Sequence, residues 1–519
     1  METQVLIIGG GVTGVGVARD LALRGVDCIL AEADDLNAGA SGANHGLLHS
    51  GCRYVASDPH SAQECREENL LLKRLAPHVV EDSGGIFVAV TGDDEQYIAD
   101  FPAKCRAANI PVRSLSIDKA RDLEPAIAQN AIAAFDVPDA TVDPFHLVLD
   151  SLSHAQQYGT RYLSNTKLEG FEVQQGKIVA ARLRDMRSGQ EVLVHAEQYV
   201  NAAGAWAGNV AAMAGGLVAM RCVKGTLLIT HDRIARRVIN RLRPPGDGDI
   251  LVPGGTVSIL GTTSVRVESL DNIVPSVPEV DLNVEQGSAM VPALASARYI
   301  RAYAGVRPLL LEQGGQSDRN ASRGVALLDH ECDGLQNFVT ITGGKLTTFR
   351  LMAEQTADLI CARLGVNAPC LTRTVALPAS ESWKWNEAGL ARKGWLSDHD
   401  PGDVLLCECE MVPRSGVDAI LDKAAENNEH VGLNTLNRRS RVGKGACQGT
   451  FCGLRLTSYL YDRKKLNAED GVHELNQFLE ERWKGQRPVL WGAASAQAEL
   501  QEALYCGFMG LDLAGRNKG

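Results

Sequence analysis

The sequence predicts an α/β protein in which a Rossmann-like nucleotide-binding unit is followed, near the C-terminus, by a small helical module. Three observations carry that reading. The chain opens on an apolar strand, a glycine-rich turn and a helix, "QVLIIGGGVTGVGVARDLALRG". A strand, a Gly343-Gly344 turn and a helix recur late, in "FVTITGGKLTTFRLMAE" (338–354). Two cysteine pairs, Cys407 with Cys409 and Cys447 with Cys452, bracket a stretch of helical periodicity.

The first unit reads in order. "QVLII" is a short apolar strand, Gly9, Gly11 and Gly14 make G-x-G-x-x-G, and Val15, Ala18, Leu21 and Ala22 recur at helical spacing until Gly25 closes the helix. A second strand, "VDCILAE", ends in Glu32. In such a unit the first glycine permits the tight turn, the second lets backbone approach a pyrophosphate, and the third allows helix to pack on sheet. The helix N-terminus turns free N–H groups toward the diphosphate. Glu32 can accept from a ribose 2′-hydroxyl and disfavours a 2′-phosphate, and so NADP. "YVNAAGAWAG" (199–208), with its Ala203-Gly204 turn, and the 338–354 unit extend the site. A cofactor touched by three separated segments spans the domain, as FAD does and a simple nicotinamide enzyme rarely requires.

At 519 residues the chain is long enough for roughly three to four domains. Its 45% hydrophobic and 22% charged content is that of a soluble globular protein. A net charge of -11 argues against general nucleic-acid binding and against a polybasic membrane anchor. No run reaches the ~18 apolar residues of a membrane helix, and "METQVLIIGGG" enters a strand directly, so neither a span nor a signal peptide is expected. Thirteen cysteines, an odd number in a chain too large to need staples, point to a reducing cytoplasm.

The four paired thiols stand apart. "SGVDAILDKAAENN" between the pairs and "GLRLTSYLYDR" after them read as helices, so one pair ends an extended segment and the other sits in a turn entering a helix. A module of about 60 residues with few large apolar groups gains from a metal staple. Four thiolates can hold a [2Fe–2S] cluster or a structural zinc, or make a redox disulfide, although zinc usually takes C-x-x-C knuckles. Arg438, Arg439, Arg441 and Lys444 offset an anionic cluster, face a partner or lie on a solvated loop. Residues 378–403 read as linker, and the tail from about 463 as a helix and an extended stretch packed back on the body. Elsewhere Arg53, Arg307 and Lys345 each adjoin a glycine- or proline-marked turn, where a cation can be aimed into a pocket for phosphate or carboxylate or lie solvated on the surface.

With "SGANHGLLHSGCRY" (41–54), "AGVRPL" (304–309) and "GGKLTTFRLMAE", the chain resembles the FAD-dependent glycerol-3-phosphate dehydrogenases, and with "CEC…CQGTFC" the catalytic A subunits of their bacterial anaerobic branch. The resemblance covers nearly the whole chain. It implies a D-amino-acid-oxidase-type FAD domain in pieces (1–75, 140–215, 330–370), an inserted α+β substrate domain (76–139, 216–329), a linker (371–402), a [2Fe–2S] domain like that of bacterioferritin-associated ferredoxin (403–462) and a C-terminal extension (463–519). It implies oxidation of sn-glycerol 3-phosphate to dihydroxyacetone phosphate. Electrons then pass through the cluster to partner subunits and quinone, with the chain held peripherally on the inner face of the membrane. The implied cofactor residues are Gly9, Gly11, Gly14, Glu32, Ser41, Asn44, His45, Gly46, Leu48, Ala203, Gly204, Gly344 and Thr347. Arg53, Arg307 and Lys345 face substrate, and Cys407, Cys409, Cys447 and Cys452 ligate the cluster. A base with a pKa near neutrality favours His49, with His45 second. After "KG" (224–225) the aerobic relatives tend to carry a histidine, whereas this chain has Thr226-Leu227, as the anaerobic branch does. The rival readings are a flavoenzyme for an amino or hydroxy acid, and an electron carrier with a vestigial flavin site.

Overall fold

The computed structural model describes residues 1–310, 324–379, 397, 400–427 and 429–513. Most of the expected linker, residues 311–323 of the expected substrate domain and residues 514–519 lie outside the described residues.

β1 (Glu2–Ile8), α1 (Val12–Leu23) and β2 (Cys28–Ala31) form the opening unit. β1 pairs in parallel with β2 on one side and with strand Glu191–Asn201 on the other. Strands Arg161–Leu163 and Phe338–Gly343 continue the sheet outward. A parallel strand in that position is covered on both faces, which is why 5–8 run apolar without alternation. Val5 and Ile7 enter one core with α1 and the helices Pro144–Gln157 and Phe349–Leu364. Leu6 and Ile8 enter another with Tyr199 and Phe338. The close approach of the helices is set by Gly16, where a Cβ would come 3.1 Å from the Phe349 ring.

A second sheet is built from two stretches of chain. Strands Gly85–Val90, Arg113–Leu115 and Ala131–Val137 join Met220–Thr230, Val238–Arg241, Ile250–Gly254, Val257–Gly261 and Tyr299–Leu310. Met220–Thr230 and Tyr299–Leu310 form one long antiparallel ladder, with Val223 opposite Arg307.

The C-terminal module has a short ribbon, Leu405–Cys407 with Val412–Pro413, and helices Arg414–Glu426, Leu433–Arg439, Cys452–Asp462 and Ala468–Gln486. Its core is not thin. Leu433, Leu436, Leu456 and Leu460 are joined by Phe478, Tyr505, Leu511 and Leu513, all from the tail. Phe478 seats against Gly443, Gly449 and Gly453, at each of which a Cβ would come within 2.5–3.2 Å of its ring. The tail's expected extended stretch is instead helical, through Arg487–Val489, Ala493–Glu502 and Ala503–Phe508. "RPVLWG" offers too few residues for periodicity to separate strand from helix. The Ala468–Gln486 helix also reaches the main body, where Gly485 lies against the Ala302 carbonyl.

The basic run 438–444 does not lie on a solvated loop. Arg438 pairs with Asp34 at 2.6 Å and Arg439 with Asp35 at 2.7 Å and Glu429 at 2.6 Å. Arg441 pairs with Glu410 at 2.5 Å. Lys444 Nζ lies 3.4 Å from the centroid of the Phe145 ring and donates to Ser440 O. Among the described residues no helix is long and apolar enough to cross a membrane.

Candidate active site

The glycine turn is closed by its own backbone. Gly9 has φ +113°, and a Cβ there would lie 2.6 Å from Ala202 O; one on Gly14 would lie 1.9 Å from Gly9 O. Gly14 thus closes the turn on itself, and the helix packing expected of it falls to Gly16. At the start of α1 the Val12 N–H donates to Ser41 Oγ at 2.9 Å. Glu32 accepts from Gly10 N–H at 2.7 Å and Asp34 N–H at 2.9 Å, and burial raises its carboxyl above the usual range. Each oxygen keeps a lone pair for a ribose hydroxyl.

A cavity of 1610 Å³ opens from this turn. Gly9, Gly11, Glu32, Ser41, Asn44, His45, Ala203, Gly204 and Gly344 line it at the nucleotide side, and His49, Arg53, Arg307 and Lys345 line it too. That exceeds the about 300–1,000 Å³ of an ordinary ligand pocket, and leaves room for a dinucleotide beside a small substrate. Four of the expected residues stand off the wall. Gly14 faces Gly9, and Gly46 (φ +69°) backs onto the Val142 carbonyl. Leu48 is turned into the nucleotide-domain core, and its neighbour Leu47 lines the cavity, because alternate strand residues face opposite ways. Thr347 is buried and accepts the His49 backbone N–H at 3.0 Å.

Side chains of known chemistry converge where the two sheets meet. The His49 ring lies between those of Tyr54 and His45, with centroids 5.2 and 6.2 Å away, and the Tyr54 hydroxyl is 3.4 Å from His49 Nε2. Lys345 Nζ stands 4.5 Å above the Tyr54 ring. Arg53 is held 3.4 Å from Asp249, a fully buried carboxylate that also binds Arg243 at 2.7 Å. Arg307 donates to Thr263 O at 3.2 Å and to the Thr262 hydroxyl. Gly225 leaves its guanidinium space, since a Cβ there would come 2.5 Å from Arg307 Nη2. Behind it Glu279 accepts from the Thr226 and Thr263 hydroxyls, both at 3.0 Å, and pairs with Lys224 at 2.8 Å. Thr226 therefore serves the scaffold, and Leu227 lines the cavity.

Sequence reasoning passed over Tyr54, Leu47, Asp249 and Thr342. Tyr54 had a signal, its place beside Arg53. Asp249 had none, because the residue it steers, Arg53, lies 196 positions away in the sequence.

The four thiols come together at the module's edge. Cys409 Sγ lies 3.8 Å from Cys407 Sγ and 3.7 Å from Cys447 Sγ, and Cys452 is hydrogen-bonded to the Cys407 and Cys447 thiols. Hydrogen bonds from Cys409 and Cys452, then the backbone N–H groups of Phe451 and Gly449, pull Cys447 far below the usual thiol range. Contact with Cys407 and Cys447 pushes Cys409 up. The thiols touch one another, and among the described residues no group of three or more His, Cys, Asp or Glu side chains is arranged to hold a metal ion.

The family model described as FAD dependent oxidoreductase matches residues 4–359. The chain is 41% identical to the A subunit of the anaerobic glycerol-3-phosphate dehydrogenase of Escherichia coli (strain K12), over 98% of this chain and 97% of that one. It is 39% identical to the A1 subunit of the anaerobic glycerol-3-phosphate dehydrogenase of Haloferax volcanii, over 98% and 91%. Among solved structures, the glycerol-3-phosphate dehydrogenase from Bacillus halodurans complexed with FAD superimposes with a TM-score of 0.65 at 19% identity, covering 95% of this chain and 96% of that one.

Proposed function

Since the chain belongs to the FAD-dependent oxidoreductases, and within them to the anaerobic glycerol-3-phosphate dehydrogenase A subunits, we propose that its cavity oxidises sn-glycerol 3-phosphate and that its thiol module carries the electrons out. The oxidation itself, with FAD, follows from the family. The observation that carries the site reading is the convergence of Arg53, Arg307 and Lys345 on the cavity that the glycine turn opens.

The residues present fit FAD. The positive-φ Gly9 and the closed turn admit backbone to a diphosphate, Glu32 has acceptor capacity left, and Thr342 Oγ1 is buried without a hydrogen-bond partner on the cavity wall. When bound, FAD supplies the acceptor for the hydride that leaves C2. The two arginines bind phosphate as two-pronged donors and Lys345 as a point charge. His49 is the acceptor for the C2 hydroxyl proton, and it takes that proton as the Tyr54 hydroxyl, 3.4 Å from its Nε2, gives way to the substrate hydroxyl.

Cys407, Cys409, Cys447 and Cys452, four thiols brought together, would hold a [2Fe–2S] cluster, which would supply one-electron carriage. Support comes from the docking of the module behind the cavity wall. Val142 N–H donates to Gly46 O at 2.7 Å, Phe145 of the following helix carries Lys444, and Gly445 abuts Cys409. The electrons then go to partner subunits and quinone, with the chain cytoplasmic and peripheral on the inner membrane face through those subunits.

The test is anaerobic titration of purified holoprotein while the visible spectrum is recorded. sn-Glycerol 3-phosphate is expected to bleach the flavin. Bleaching by an amino or hydroxy acid, with none by glycerol 3-phosphate, would overturn the substrate reading.

A further inference from the structure

The nucleotide turn and the C-terminal module share one loop. Glu32 stands at its start and Ser41, whose hydroxyl receives the first N–H of α1, near its end. Between them Asp35 takes a two-pronged contact from Arg439, Nη2 to Oδ1 at 2.7 Å and Nε to Oδ2 at 3.1 Å. Asp35 also accepts from Leu36 N–H at 2.9 Å and from the Tyr162 hydroxyl at 3.3 Å. The same guanidinium reaches Glu429, and Arg438 holds Asp34 next door. Asp35 is 2% exposed and Arg439 9%, so the pair works out of water.

A two-pronged pair in that setting has one geometry. If the guanidinium is lost, Asp35 keeps the Leu36 N–H and the Tyr162 hydroxyl but stays behind as a buried carboxylate without its two-pronged partner, a cost that the loop relieves by moving toward solvent. That movement displaces the two residues, Glu32 and Ser41, that shape the ribose and diphosphate end of the cavity. We propose that Arg439 is a positioning residue for the FAD cradle, so that module docking and FAD retention are coupled. The inference rests on the FAD reading above. By reciprocity of binding equilibria, whatever factor the docked module adds to FAD affinity, bound FAD adds to docking.

The experiment measures FAD release from full-length holoprotein, followed as the rise in flavin fluorescence after dilution, for wild type, Arg439→Gln, Arg439→Lys, Asp35→Asn and the Asp35→Asn/Arg439→Gln double variant. Release is expected to be at least tenfold faster in Arg439→Gln, partly restored in Arg439→Lys, and no faster in the double variant than in Arg439→Gln. In parallel, backbone hydrogen exchange of wild type is compared with and without FAD, and FAD is expected to slow exchange across 433–446. A folded Arg439→Gln that releases FAD at the wild-type rate overturns the coupling. If that variant does not fold, wild-type exchange across 433–446 that is indifferent to FAD overturns it instead. A wild-type protein that retains no FAD rejects the flavin reading itself, an outcome distinct from either.

Discussion

Arg53 and Arg307 reach the cavity by different means. One is steered by the buried Asp249, the other by two threonines and the room left at Gly225. A charge-assisted hydrogen bond to a dianion is worth roughly 1.5–3 kcal/mol. Arg53→Ala and Arg307→Ala should therefore each lower kcat/KM for glycerol 3-phosphate by about one to two orders of magnitude, read by steady-state kinetics with an artificial acceptor. Near-native kinetics in both would put the phosphate elsewhere. A second residue, His154, is outside the cavity wall and carries a prediction about acid sensitivity. Burial, then the charge of Arg19, hold it down near about 4, so its Nδ1 accepts from Arg19 Nε at 3.0 Å. Its folded pKa lies below the unfolded value of about 6.5, so this neutral acceptor stabilises fully above that pH and its contribution is lost as pH falls toward 4. Melting followed by flavin release at pH 7.5 and 5 should show the wild type losing ground relative to His154→Gln. Parallel losses would assign the acid sensitivity to other groups.

At the scale of elements, the strand-turn-helix of the first 32 residues could be read directly, because the apolar run, the glycine spacing and the helical period are all written in consecutive residues. The thiol pairs were readable for the same reason. What escaped was decided at long range. Arg438 and Arg439 of the basic run are drawn off the solvent because their counter-charges Asp34 and Asp35 arrive from the other end of the chain. The inward direction of Leu48 escaped because a strand as short as Leu47–Leu48 offers no alternation to read. The module's core escaped because Phe478, Tyr505 and Leu513 lie beyond the 403–462 bounds that the resemblance implied. This core alters what cluster loss should do. Cys452→Ser should release iron yet loosen only the segments around 405–413 and 445–452, seen as local hydrogen exchange, while the helices keep their protection. Collapse of all four helices would show that the metal, not Phe478 and its neighbours, holds the module. Phe478→Ala should do the opposite, costing about 3–5 kcal/mol of module stability while leaving the thiols chemically intact.

For the whole molecule, the nucleotide domain and the C-terminal module have separate cores, joined by the buried Arg439–Asp35 pair. Anaerobically purified protein should contain about two irons per chain with acid-labile sulfide, and Cys452→Ser should still bleach with glycerol 3-phosphate while failing to reduce its natural acceptor. One zinc without sulfide would leave the module a structural clip.

The nucleotide sheet is also assembled out of sequence order, with β1 lying between β2 and a strand that begins at Glu191, and the cavity completed only by Gly343–Lys345. A ribosome adding about 5–20 residues per second delivers that neighbouring strand roughly 10–40 s after β1, and the last wall of the cavity roughly 17–70 s after it. Throughout that interval one edge of an apolar strand is open to any passing chain. Flavin can close the site only once about two thirds of the polypeptide has emerged. The nascent chain, not the finished enzyme, is therefore the form that most needs shielding, and slower synthesis without a chaperone should lower the yield of yellow protein.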